Sequence, residues 1–175
     1  MTEDIKARAK KIKLLMLDID GVFTDGRIYF GNYGDEIKTF NVQDGFGILL
    51  ARRAGIKVVV ITAKGSKIVK LRAKELSIDG LYLNSTDKRK VFEKVLKKFK
   101  AAPEEACFVG DDLLDIPVLK RVGLAVAVPN AVDEAKANSH MITTRSGGHG
   151  AVREVCDFLI KSQGKWEEVT RKYFQ

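Results

Sequence analysis

No run in this sequence is long and apolar enough to cross a bilayer. The longest apolar stretches, such as residues 58–61 and 124–128, fall far short of the ~20 residues a spanning helix needs. The opening TEDIKARAKKIK has charge but no apolar core ahead of a small-residue cleavage site, so it does not read as a secretory signal. The cytoplasm is the expected compartment, with no membrane partner. With only three prolines and no Pro- or Ser-rich linker, low-complexity tract or internal repeat, the 175 residues are expected to form one domain with a sizeable core. Cysteine is scarce too. Cys107 and Cys156 both sit in apolar surroundings and read as reduced core thiols. The net charge is +8, concentrated in residues 6–13 and 88–100, yet no aromatic–basic interleaving, zinc-ligand spacing or helix-turn-helix pattern accompanies it. Nucleic acid is therefore not the expected partner. A solvated basic face that attracts small anions is.

What is present is a series of short apolar runs bounded by turn residues: 14–17, 58–61, 81–83, 107–109, 124–128 and, more weakly, 141–143. Such runs suit strands covered on both faces. Helical periodicity fills the gaps, as in Phe92, Val95, Leu96 and Phe99, and again in Val152, Val155 and Leu159. Alternating strands and helices predict an α/β fold, a Rossmann-like parallel sheet with helices on both faces. One element breaks the pattern. Residues 27–30 and 36–40 flank a turn-rich Gly31-Asn32-Tyr33-Gly34-Asp35 and read as a protruding β-hairpin over 27–40. A lone hairpin is marginal in water, and its Ile28, Tyr29, Phe30, Ile37 and Phe40 need cover. A homo-oligomer with hairpins packed together is the expectation.

In parallel sheets, ligands bind beyond the carboxyl ends of the strands. Asp18 and Asp20 follow the first strand, Thr62 the second, Lys88 comes just after the third, and Asp111, Asp112 and Asp115 follow the fourth. Carboxylates gathered from two strand ends repel one another unless a hard cation lies between them, and oxygen-only ligands point to Mg²⁺. Lys88 and the Thr62 hydroxyl add donors suited to phosphoryl oxygens. Asp18 is the expected nucleophile, since a carboxylate can form an aspartyl-phosphate. Asp20 is the expected general acid and base. Positions i and i+2 of an extended strand face the same side, which accounts for the Asp-Ile-Asp spacing.

The segments DIDGV (18–22), VVVITAK (58–64), DK (87–88) and GDDLLD (110–115) resemble, in order, the four motifs of the haloacid-dehalogenase-like phosphohydrolases. The longer stretches DGVFTDGRIYF, FNVQDGFGILLARRAGIKVVVIT, KLRAKEL and RSGGHGAVREV resemble the small capless subfamily of 3-deoxy-D-manno-octulosonate 8-phosphate phosphatases. The resemblance covers nearly the whole chain. It implies Mg²⁺-dependent release of phosphate from an eight-carbon sugar acid in lipopolysaccharide synthesis. It also implies a homotetramer, with a C-terminal tail and helix (145–175) whose glycine-rich part reaches toward a neighbour's site. By the same resemblance, Asp18, the backbone carbonyl of Asp20, and Asp111 hold the metal, and Thr62 and Lys88 hold the phosphoryl group. Of Asp112 and Asp115, one bonds Lys88 or a metal-bound water, or Asp115 only caps the next helix. The intervals from Asp20 to Thr62 and from Thr62 to Lys88 are too short for a cap domain, so a neighbouring subunit is expected to help enclose the substrate.

Two positions depart from what the family often shows. Thr62-Ala63-Lys64 stands where Thr-Gly-Arg is common, and Gln43 where Arg is common. Both lie where the sugar is expected, so Ala63 and Lys64 are candidate substrate contacts. Arg72 is either a contact for the substrate carboxylate or an exposed helix arginine, and His149 either touches a neighbour's ligand or belongs to a mobile tail. His140 reads as structural. A phosphatase for a nine-carbon sialic-acid-type 9-phosphate is the alternative substrate assignment. A phospho-aspartate receiver domain shares the residue types but places its acidic pair first and its phosphorylated Asp on a middle strand, the reverse of the order here.

Overall fold

The computed structural model describes residues 2–175. In chain order its elements are α1 (Glu3–Lys11), β1 (Leu14–Leu17), β2 (Tyr29–Phe30), β3 (Glu36–Ile37), α2 (Val42–Arg53), β4 (Lys57–Ile61), α3 (Lys67–Glu75), β5 (Gly80–Tyr82), α4 (Lys88–Phe99), β6 (Ala106–Gly110), α5 (Ile116–Leu119), β7 (Leu124–Ala127), α6 (Asp133–Ala137), β8 (Met141–Ile142), α7 (Ala151–Ser162) and α8 (Trp166–Thr170). Six strands form one sheet in the order β5-β4-β1-β6-β7-β8, every pair parallel. The predicted runs become these strands to within a residue or two. β1, β6 and β7 are buried throughout, as continuous apolar sequence requires, while the edge strands β5 and β8 are partly open.

Two groups of helices flank the sheet. α2 packs along α7, with α1 and α8 against them, and α5 joins α4 to α6. α1 is an element the apolar pattern did not reveal. Its charged sequence offers only Ile5 and Ala9, with Ile12 just beyond its end, as an inward stripe; Ala9 and Ile12 are fully buried. The amide of Gln163 donates to the carbonyls of Ala9 and Ile12 and ties that end down.

β1 lies mid-sheet, between β4 and β6. The chain first builds outward through β4 and β5, then crosses to β6, β7 and β8. Such a reversal leaves a crevice at the carboxyl ends of the two strands beside it. Residues after β1 and after β6 are therefore neighbours, and the Asp18 N–H still donates to the Val109 carbonyl at 3.1 Å.

The hairpin is shorter than the sequence suggests. Only Tyr29↔Ile37 and Phe30↔Glu36 pair. Residues 38–40 leave the ladder because their side chains have other partners: Lys38 reaches Asp20, and the Phe40 ring packs edge-on against Phe23 at 5.2 Å between centroids. The hairpin tip projects, with Phe30 68% and Tyr33 99% exposed.

Candidate active site

The loop after β1 turns sharply. The Ile19 carbonyl accepts from the N–H groups of Val22, Phe23 and Thr24, and the buried Thr24 hydroxyl donates back to the same carbonyl while accepting from Gly21 and Gly26. The chain leaves the strand at this turn, one residue after Asp18. Asp18 stays in the sheet's line, whereas Asp20 lies in the turn and its carboxylate pairs with Lys38. Gly21 adopts φ +91°, and a β-carbon there would overlap the Asp111 carboxylate, so only glycine lets this loop lie against the end of β6.

Lys88 is the first residue of α4. The Asp87 side chain caps the helix by accepting from the Lys90 N–H at 3.1 Å, which leaves Lys88 to turn inward. Its ammonium sits 2.9 Å from Asp18 Oδ2 and 2.5 Å from Asp115 Oδ1, and the side chain is 2% exposed. Asp115 is fully buried, and its other oxygen accepts from the N–H groups of Asp111 and Asp112. The capping role falls to Asp112, whose exposed side chain accepts from the Leu113 N–H at 2.7 Å. Of the two acids, Asp115 therefore serves Lys88 and Asp112 does not join the cluster.

Asp18, Asp111 and Asp115 each present an oxygen within 4.8 Å of the others. Burial and the Asp18 and Asp115 charges push Asp111 up to about 8. Burial also raises Asp18 to about 6, although the Lys88 ammonium opposes the rise. Burial would lower Lys88, but the charges of Asp18 and Asp115 outweigh it and raise its pKa, so the ammonium stays charged. Asp111 Oδ1 is buried without a hydrogen-bond partner among the described residues. An orphaned buried oxygen beside a second carboxylate fits a small hard dication, whose oxygen ligands at 2.0–2.1 Å stand up to about 4.2 Å apart. Asp115, with both oxygens already engaged, is not free to join them.

Thr62 directly follows β4, 2% exposed, with its hydroxyl in a local turn with the Lys64 backbone. Ala63 is half-buried beside it. Lys64 is exposed, its ammonium 5.2 Å from the centre of the Phe30 ring and 3.6 Å from Glu36, so it belongs to the hairpin face. Arg72 is not an exposed helix arginine. It lies under Phe40, donates to Glu75 and, at the limit of reach, to the Asn41 carbonyl. Gln43 lies apart from the acidic cluster, in a cleft of about 500 Å³ with Arg145, Arg153 and Glu154, and accepts from the Arg145 guanidinium at 3.0 Å.

The glycine-rich segment before α7 lies against its own protomer's catalytic loop. The Gly148 N–H donates to the Val22 carbonyl, and Asn130 bridges the two segments by donating to the Gly21 carbonyl and accepting from the Gly147 N–H, each at 2.8 Å. His149 is exposed. His140 is structural, its Nδ1 accepting from the Ala125 N–H. Asn130 and Lys38 are the site-adjacent residues that sequence reasoning passed over. Asn130 follows β7, and so had the same strand-end position as the motif residues. Lys38 had no comparable mark.

A haloacid dehalogenase-like hydrolase family pattern matches residues 61–155, just over half of the sequence. The chain belongs to the haloacid dehalogenase-like hydrolases. Within that family, it is 46% identical to the 3-deoxy-D-manno-octulosonate 8-phosphate phosphatase of Escherichia coli strain K12 over 168 residues, which is 96% of this chain and 89% of that one. Among solved haloacid dehalogenase-like structures, it matches the same-named phosphatase of Moraxella catarrhalis, in complex with magnesium ion, phosphate ion and a KDO molecule, with a TM-score of 0.96 and 36% identity across the whole of both chains. The Yersinia pestis phosphatase matches with a TM-score of 0.94 and 42% identity, covering 95% of this chain and 90% of that one.

Proposed function

We propose that this protein is a Mg²⁺-dependent phosphomonoesterase that hydrolyses 3-deoxy-D-manno-octulosonate 8-phosphate to the free sugar acid and phosphate. The observation that carries the reading is the 2.9 Å contact between Asp18 and a buried Lys88, beside the unpartnered oxygen of Asp111. The identity to phosphatases of that name supports the substrate.

Asp18 and Asp111, with the backbone carbonyl of Asp20, would hold Mg²⁺, which supplies charge neutralisation between carboxylates and phosphoryl oxygens. The Asp18 carboxylate attacks phosphorus and the bond from phosphorus to the sugar oxygen breaks. Lys88 and the Thr62 hydroxyl hold the transferring group's oxygens. Asp20 gives its proton to the departing sugar oxygen. It then takes one from the water that attacks the aspartyl-phosphate, breaking the bond between phosphorus and Asp18 and releasing inorganic phosphate. Proton transfer of this kind contributes about 10²–10⁴-fold.

The enzyme acts as a homotetramer in the cytoplasm, within lipopolysaccharide synthesis. The projecting apolar hairpin supports the assembly, since Tyr29, Phe30, Tyr33 and Ile37 are too exposed for a free protomer. No helix among the described residues is long and apolar enough to cross a membrane.

The test is phosphate release from a panel of sugar phosphates, with Mg²⁺ and with EDTA. The eight-carbon sugar acid phosphate is expected to be the best substrate, with activity lost in EDTA. Preference for a nine-carbon 9-phosphate would overturn the substrate, and no release from any ester would overturn the enzyme. Light scattering at micromolar protein tests the tetramer, which a monomer result would exclude.

A further inference from the structure

Asp20 has a partner that the reaction scheme leaves unused. Its carboxylate is 27% exposed and sits in a turn, so nothing in the backbone of a regular strand fixes its direction. Among the described residues its one cationic partner is Lys38, whose side chain is wholly buried. Lys38 also lies 3.3 Å from Glu36 Oε1, and Glu36 Oε2 in turn lies 3.6 Å from Lys64. A row of alternating charges thus runs from Asp20 through the second arm of the hairpin to Lys64. Two residues on, Phe40 packs edge-on against Phe23 of the catalytic loop. The hairpin arm grips that loop at two points, one polar and one apolar.

Burying an ammonium is costly, and a buried ion pair adds little net stability over an apolar replacement. What such a pair does supply is direction, because the carboxylate must stay where the ammonium can reach it. Lys38 is also distinct from the ammonium that serves the phosphoryl group, which is Lys88 on α4.

We propose that Lys38 is a positioning residue that fixes the Asp20 carboxylate for proton delivery to the departing sugar oxygen, so that the hairpin is part of the catalytic apparatus as well as an assembly surface. This rests on Asp20 being the general acid. An alkyl oxygen needs that proton to leave, whereas a nitrophenolate does not. The parameter kcat/KM reports events up to the departure of the ester oxygen, before the aspartyl-phosphate is hydrolysed, so it isolates this step.

The experiment compares kcat/KM for the sugar 8-phosphate and for p-nitrophenyl phosphate in wild type, Lys38→Met, Asp20→Asn and the double variant. Lys38→Met is expected to lose about 10²-fold on the sugar ester and less than about threefold on the aryl ester. In the Asp20→Asn background, removing Lys38 should cost nothing further, because residues that act as a unit are not additive. Equal losses on both esters, or additive losses in the cycle, would overturn the proposal. Should Lys38→Met fail to fold, Glu36→Gln and Lys38→Arg carry the same comparison of esters, and an unchanged ratio in both overturns it. If wild type ignores the sugar 8-phosphate, the substrate assignment fails by itself, and any primary alkyl phosphate it does hydrolyse takes that place in the comparison.

Discussion

Asp115 holds Lys88 with one oxygen, at 2.5 Å, and the backbone N–H groups of Asp111 and Asp112 with the other. One buried carboxylate thus fixes both the cation from α4 and the loop that carries Asp111. It joins two segments of the site that come from different parts of the chain. Asp115→Ala removes both supports at once and leaves Lys88 buried with Asp18 alone. Breaking a buried pair in this way costs about 3–5 kcal/mol, so chemical denaturation should show a loss near the lower figure, since Asp18 remains. Phosphate release should fall at least about tenfold, with Lys88 no longer held. An unchanged denaturation midpoint would mean that Asp115 carries no such load.

Asp18→Asn should abolish turnover, because the amide cannot form the acyl phosphate. The fold should survive, because two opposed effects act on the metal-free protein: Lys88 loses its 2.9 Å partner but keeps Asp115, while Asp111 loses a like charge. That like charge adds to the burial that raises Asp111 to about 8, as burial raises Asp18 to about 6. Removing one like charge from a buried cluster relieves the other. Calorimetry and a phosphate assay on the same preparation check both halves. Measurable turnover in this variant would remove Asp18 as the nucleophile.

The same raised values set a pH dependence. A carboxyl whose folded-state pKa is raised favours the folded state while protonated, and that contribution fades as pH climbs through the folded value. Metal-free protein should therefore lose stability between about pH 4 and about pH 8, the span between the ordinary carboxylate value and that of Asp111. With Asp111 as a ligand, Mg²⁺ would have to displace its proton at low pH but not at high pH. The rise in Tm on adding Mg²⁺ should consequently be small at pH 5.5 and larger at pH 8.5. A rise independent of pH would mean that the cation binds elsewhere.

The strands were legible because β1, β4, β6 and β7 are apolar runs buried on both faces, and the motif residues because they follow those runs directly. Other features depended on facts that no short window contains. The Asp-Ile-Asp spacing does not reveal that Asp20 already lies in a turn, which the Ile19 carbonyl closes by gathering three N–H groups from Val22, Phe23 and Thr24. Asp112 and Asp115 occupy one short motif, and which of them caps and which grips Lys88 depends on how tightly the turn at Leu113 closes. Lys38 carries no mark in the sequence, since its partner lies 18 residues away across a hairpin. α1 stayed hidden because its apolar stripe is only a few residues wide.

Gly147 lies where the segment before α7 meets the catalytic loop. A β-carbon there would overlap the Gly21 carbonyl oxygen, and both neighbours are backbone held by Asn130. The overlap cannot be relieved by a rotamer change, so Gly147→Ala must move one backbone segment away from the other. Gly21 in turn abuts Asp111, and the disturbance passes directly into the acidic cluster. Turnover should drop about 10²-fold, the scale of a 1 Å misplacement near reacting groups. The helix itself should persist, because Asp44 accepts from the Arg153 N–H and Glu154 from the Thr144 and Arg145 N–H groups, none of which involve Gly147. Circular dichroism alongside the phosphate assay separates the two effects. Full activity with Ala at position 147 would show that this segment does not support the loop.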